Sequence, residues 1–240
     1  MRPLSLATVA VLGGALALVF FYAPNDVDQG FVQKILYLHV PLAIVSLGGF
    51  VAGGVLAIMH LRTRASKWDM RSYVAIHMAL IFGVGVLITG SIWARASWGT
   101  WWEWREATLV SFLIVFLLYA TYQPVRFAIE DRERQARYAS VFAITAGVFV
   151  PLNFMAVRFA QPSYIHPRLG GGSLTGEMLA TFLLSLLGMT LLFLTLVKYE
   201  MTSKHTSAQI ASLRRRLLGE DPSELPVRRS AAPTLTTTTP

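Results

Sequence analysis

The chain holds five histidines and no cysteine. Lack of cysteine excludes disulfides, thiolate metal sites, thiol redox chemistry and covalent haem attachment through C-x-x-C-H. Two of the histidines lie in suggestive surroundings: His39 in "KILYLHVPLA" and His166 in "RFAQPSYIHPRLGGGS". Between them in sequence runs "ASWGTWWEWRE", residues 96–106, with four of the chain's six tryptophans. A fifth, Trp93, stands just upstream. Two neutral imidazoles beside an aromatic-rich segment are what axial ligation of haem iron requires. The same residues also fit a proline-kinked helix with an interfacial histidine, next to an aromatic belt at a membrane surface.

The elements that must carry these residues follow from composition. Of 240 residues, 54% are hydrophobic and only 14% charged, with mean hydropathy +0.53. A soluble domain carries about a quarter charged residues. The deficit and the long apolar runs place the chain in a bilayer. Six segments are long enough, or nearly so, to cross it as helices: Leu4–Tyr22, Leu36–His60, Tyr73–Trp93, Thr108–Tyr122, Tyr138–Val157 and Glu177–Lys198. The expected fold is all-α and polytopic, with the first apolar run retained rather than cleaved, since "FFYAPND" makes a poor cleavage site. The short fourth span is expected to begin within the tryptophan stretch. The net charge of +8 reads as an orientation signal, not a nucleic-acid surface.

Basic residues set the orientation. Arg62, Arg64, Lys67 and Arg71 crowd the loop after span 2, and Arg126, Arg132, Arg134 and Arg137 the loop after span 4. The other three loops together hold only Lys34, Arg95, Arg105, Arg158 and Arg168. The positive-inside rule then puts both termini in the cytoplasm and the tryptophan stretch outside. His39 and His166 fall on the outer face, His60 and His77 near the inner one, and His205 in the tail. Helix of 21 residues separates His39 from His60 by roughly 31 Å, so these two cannot share a ligand.

An interfacial belt spreads its aromatics over both surfaces. Here five tryptophans crowd one outer loop, and only Trp68 is inner. If the stretch is helical, Trp98, Trp101 and Trp102 share one arc of about 100°, with Arg105 inside it. Such a wall suits a large planar ligand at the membrane surface, or lipid. Arg105 has a choice of partners: an aromatic face, an anionic ligand group, or lipid headgroups.

Residues 1–200 read as the membrane domain, 201–219 (with "SAQIASLRRRLLG" as its last part) as a basic amphipathic cytoplasmic segment, and 220–240 as disordered tail. Gly48, Gly49, Gly53 and Gly54 in span 2 give the small-xxx-small spacing of close helix packing, internal or against a partner.

"WGTWWEW" resembles the tryptophan-rich signature of the haem-handling proteins of cytochrome c maturation, the family of haem exporter protein C (CcmC) and its CcsA-type relatives. "KILYLHVPLA" and "HPRLGGGSL" are similar to that family's segments around its two external histidines, and six spans favour the CcmC branch. The resemblance covers roughly residues 30–200. It implies non-covalent haem b at the outer face of a bacterial inner membrane, with His39 and His166 as axial ligands. Trp98, Gly99, Trp101, Trp102 and Trp104 would form the haem platform, and Arg105 would join them at a propionate. It further implies hand-off to a membrane-anchored haem chaperone, ABC transporter subunits as partners, and no turnover chemistry. One departure stands out: the family motif continues into Asp where this chain has Arg105, followed by Glu106.

Two other readings compete. A transmembrane redox protein would carry a second, inner haem on His60 and His77. A scaffold subunit of a transporter would bind no haem.

Overall fold

The computed structural model describes residues 2–159, 166 and 174–218. Six α-helices follow in order: α1 (Arg2–Phe21), α2 (Leu36–Thr63), α3 (Ser66–Trp98), α4 (Ala107–Phe127), α5 (Arg132–Phe159) and α6 (Gly176–Leu217). A short 3-10 turn, Phe31–Ile35, leads into α2. Among the described residues the only β-pairing is an isolated bridge between Asp26 and Gly30. The protein is an all-α polytopic membrane protein. Five helices, all but α5, are long and apolar enough to cross a bilayer, and α5 has 28 residues.

All six expected segments are helical, but most run past their expected ends. Helix α3 starts at Ser66 and reaches Trp98, and α6 continues to Leu217. Hydropathy marks where the hydrocarbon ends. A helix's hydrogen bonding can continue in polar surroundings. Helix α4 begins at Ala107, after the tryptophan stretch rather than inside it.

By compactness the chain divides into Met1–Met201 and Thr202–Pro240. The core of the first unit is built on α2, α3, α4 and α5, with Phe50, Ile76, Tyr119 and Tyr122 almost fully buried. Phe50 and Tyr119 stack at 4.0 Å with their planes 5° apart. The Tyr119 hydroxyl lies 3.2 Å from both the Phe50 and Ala143 carbonyls, tying α4 to α2 and α5. Ser46 donates to the Ala79 carbonyl and Ser72 to that of Gly53. In an apolar surrounding, such side-chain-to-backbone bonds are a main adhesive between helices. On the other side Thr8 of α1 bonds Thr195 of α6 at 2.8 Å.

Three of the four glycines of span 2, Gly49, Gly53 and Gly54, pack internally. A methyl at Gly49 would sit 2.8 Å from the Phe193 ring and 2.9 Å from Ala79, and one at Gly53 only 2.5 Å from Ile76. Gly54 faces the Ala143 carbonyl, and Gly48 faces open space. In the second unit, Thr202 to Leu217 are helical. The expected tail, 220–240, lies outside the described residues, as does the loop around His166 apart from His166 itself.

Candidate functional site

The site is framed by the turn before α2. The Asp26 carboxylate accepts hydrogen bonds from the backbone N–H groups of Asp28 and Gln29, at 2.9 and 2.8 Å. This Asx turn closes with Gly30 at φ +58°, a conformation suited to glycine. It fixes Gln29, whose side-chain oxygen accepts from Trp93 Nε1 at 2.8 Å. Trp93, near the end of α3, is thereby buried with its one donor satisfied.

Trp93 is the hub of the arrangement. His39, in the second turn of α2, meets it edge to face at 5.7 Å and 79°. His166 lies 6.5 Å from Trp93 and 6.4 Å from Trp98. The structure thus brings His39 and His166 against one indole. His39 is buried, and its Nδ1 lies 2.9 Å from Thr89 Oγ1 of α3. The ring also rests on Gly90, where a methyl would come within 2.9 Å of His39 Cε1.

The tryptophan stretch is not one continuous helix: only its first three residues, 96–98, belong to α3. Gly99 takes φ +77° and ends α3, with the Arg95 guanidinium bonded to the Gly99 carbonyl. A methyl at Gly99 would meet nothing within 4 Å, so backbone conformation rather than crowding requires glycine. The expected helical arc of Trp98, Trp101 and Trp102 therefore does not form, and Arg105 is not inside it. The expectation failed because a periodicity argument assumes continuous helix through a residue that breaks it. Instead Trp98 is half-buried beside His166, while Trp101 and Trp104 are 61% and 71% exposed. Trp102 meets Trp104 edge to face at 5.9 Å. Its Nε1 is buried without a hydrogen-bond partner among the described residues. Arg105 is exposed, its backbone N–H donating to the Glu103 carboxylate at 3.0 Å. Glu106, almost fully buried, precedes α4 and accepts from the Thr108 hydroxyl at 3.2 Å.

His60 and His77 face other partners. His60 Nδ1 is 3.1 Å from the Ala65 carbonyl, which can only accept, so that nitrogen carries the proton. His77 stacks on Tyr73, and its Nδ1 lies 3.2 Å from the Gln123 amide nitrogen. An amide NH2 only donates, so Gln123 donates to His77 Nδ1 in this arrangement. Nearby, Arg126 is no loop residue: it lies in α4, buried in a bidentate pair with Asp69.

Among the described residues no three His, Asp or Glu side chains converge on a metal-sized space. A porphyrin brings its own equatorial nitrogens, so a pair of axial histidines is enough. His39 fits that role, because a satisfied Nδ1 leaves Nε2 for iron. Around it, the exposed aromatic faces and the unpartnered Trp102 Nε1 suit a large ring with polar edges. Beside the cluster a cavity of about 410 Å³ opens between α1, α2, α3 and α6. Trp93 and Tyr37 stand in its wall, with Lys34 as its one cationic lining residue.

Sequence reasoning singled out His39 and His166 but passed over Trp93, Gln29, Thr89 and Gly90 as site residues. The one available signal was spacing: Thr89 and Trp93 stand four apart, on one face of α3.

The chain is similar to known proteins over most of its length. The family model described as "Heme exporter protein C" matches residues 1–216. The chain is 35% identical over 198 residues to heme exporter protein C of Bradyrhizobium diazoefficiens, covering 80% of this chain and 73% of that one. It is 31% identical over 198 residues to the Paracoccus denitrificans protein of the same name, covering 80% and 81%. Its identity to the Haemophilus influenzae protein of that name is 30% over 199 residues, covering 81% and 80%.

Proposed function

Because the chain belongs to the heme exporter protein C family, we propose that it handles haem for cytochrome c maturation, holding it where His39, Trp93 and His166 meet. One observation carries this reading above the others: both outer histidines contact the same buried indole. His39 and His166 supply the axial nitrogens, and the ring is held without a covalent link, as haem b. Trp98, Trp101, Trp102 and Trp104 offer faces and edges to the macrocycle. Gly99 turns the chain so that this loop folds back rather than extending α3, and Arg105 reaches a propionate from the solvent side. Bis-histidine ligation holds the ring reversibly, which suits a carrier and not a turnover enzyme.

The basic loops support, by the positive-inside rule, an outward-facing position for this end of the bundle in a bacterial inner membrane. A membrane-anchored haem chaperone then receives the haem there, with ABC transporter subunits as partners in the membrane. The exposed Trp101 and Trp104 make that loop the surface from which such a chaperone collects its cargo.

A visible absorption spectrum of the purified protein, oxidised and reduced, tests the proposal. The expected result is a six-coordinate low-spin spectrum at one haem per chain. A protein that stays colourless after haem supplementation overturns it in favour of a haem-free scaffold. Two haems per chain would instead favour a redox protein with an inner site.

A further inference from the structure

We infer that Thr89 is a positioning residue that fixes the tautomer of His39 and so presents its Nε2 lone pair to iron. The inference rests on the ligand role proposed for His39 and deepens it. The Thr89 hydroxyl has one proton. Its oxygen lies 2.7 Å from the Gly85 carbonyl one turn back and 3.3 Å from that of Val86. Two oxygens at 2.7 Å without a hydrogen between them repel, so the proton points at a carbonyl. The oxygen then has only lone pairs to offer His39, so the 2.9 Å contact is read as Nδ1–H donating to Oγ1, with the Val86 carbonyl a second acceptor beside the ring. In the neutral imidazole the other nitrogen, Nε2, is left unprotonated.

Two further features restrict the ring. Gly90 lies flush against Cε1, where a methyl would be at 2.9 Å. Trp93 blocks another side at 5.7 Å. Thr89, Gly90 and Trp93 come from little more than one turn of α3, so one rigid helix sets the position, tautomer and packing of a ligand on α2. A hydrogen bond accepted from the far nitrogen of a ligating histidine also raises its basicity, which favours ferric over ferrous iron.

The test compares wild type, Thr89→Val and Thr89→Ser, each purified in detergent and titrated with haemin. Valine keeps the shape of threonine but cannot accept the proton; serine can. Thr89→Val should lose haem about 10- to 100-fold more readily, and its ferric–ferrous midpoint potential should rise. Thr89→Ser should match wild type in both. Equal retention and potential in all three overturn the inference while leaving the haem reading intact. A wild type without a bis-histidine spectrum overturns the haem reading itself.

A second measurement leaves Thr89 untouched, should the valine variant not accumulate. In His39→Gly protein, added imidazole carries an N–H to donate to Thr89, and 1-methylimidazole does not. Imidazole should restore the wild-type potential and 1-methylimidazole should not. The same potential with both ligands would contradict the role given to Thr89.

Discussion

Arg126 of α4 grips Asp69 of α3 through both guanidinium nitrogens, at 2.7 and 2.6 Å, with only 7% and 14% of the two side chains exposed. The Tyr122 hydroxyl adds a 3.1 Å bond, and the guanidinium stacks 5.0 Å from the Tyr73 ring. The pair closes the α3–α4 contact at the end of the bundle away from the tryptophan stretch 96–106. Buried charge is costly once its partner is gone. Asp69→Ala should therefore destabilise the protein by about 3–5 kcal/mol, read as thermal unfolding in detergent. Molecules that remain folded should keep the wild-type haem spectrum, because the network lies at the opposite end from His39.

Gly99 tests the turn that breaks the tryptophan stretch. At φ +77° a side chain is strained by about 1–2 kcal/mol even though the space around it is open. Gly99→Val should lower stability by that much and shift the loop carrying Trp101, Trp102 and Trp104. Haem retention should fall more than stability does. Unchanged retention would detach the loop conformation from haem binding.

How much of this was legible in the residues depends on what each feature rests on. The helices were, because apolar runs near 20 residues in a bilayer have few alternatives to helix. Their ends were not: Ser66–Arg71 and Arg95–Trp98 are polar or mixed, and a hydropathy reading stops where they begin. Gly99 at φ +77° ends the helix, so a helical periodicity carried through it does not hold. His39 and His166 stood out by type and flanks. Thr89 did not, since a threonine in an apolar run reads as a hydroxyl bonded to its own backbone. It does make that bond. Its second role, toward α2, depends on a helix pairing that no local pattern encodes.

Topology can be read cleanly because the chain has no native cysteine. A cysteine at Thr100 should react with a membrane-impermeant thiol reagent added to intact cells. One at Arg64 should react only after the membrane is opened. The reverse pattern would place the tryptophan loop in the cytoplasm and rule out delivery at the outer face.

Arg105 stands where the family motif has Asp, and its exposure decides how it should behave. If it holds a propionate, Arg105→Lys should weaken haem retention, since lysine lacks the planar fork, and Arg105→Glu should weaken it more. Because the site is open to solvent, the loss in Arg105→Glu should shrink as salt rises. Equal retention in all three proteins would make Arg105 a headgroup anchor.

The central claim is that His39 and His166 are the axial ligands, and visible spectra of His39→Ala and His166→Ala, set against wild type and His205→Ala, test it most directly. Each of the first two should insert normally yet depart from the six-coordinate low-spin spectrum, and His205→Ala should match wild type. If His39→Ala and His166→Ala both keep the wild-type spectrum, the iron is held elsewhere and the account is wrong.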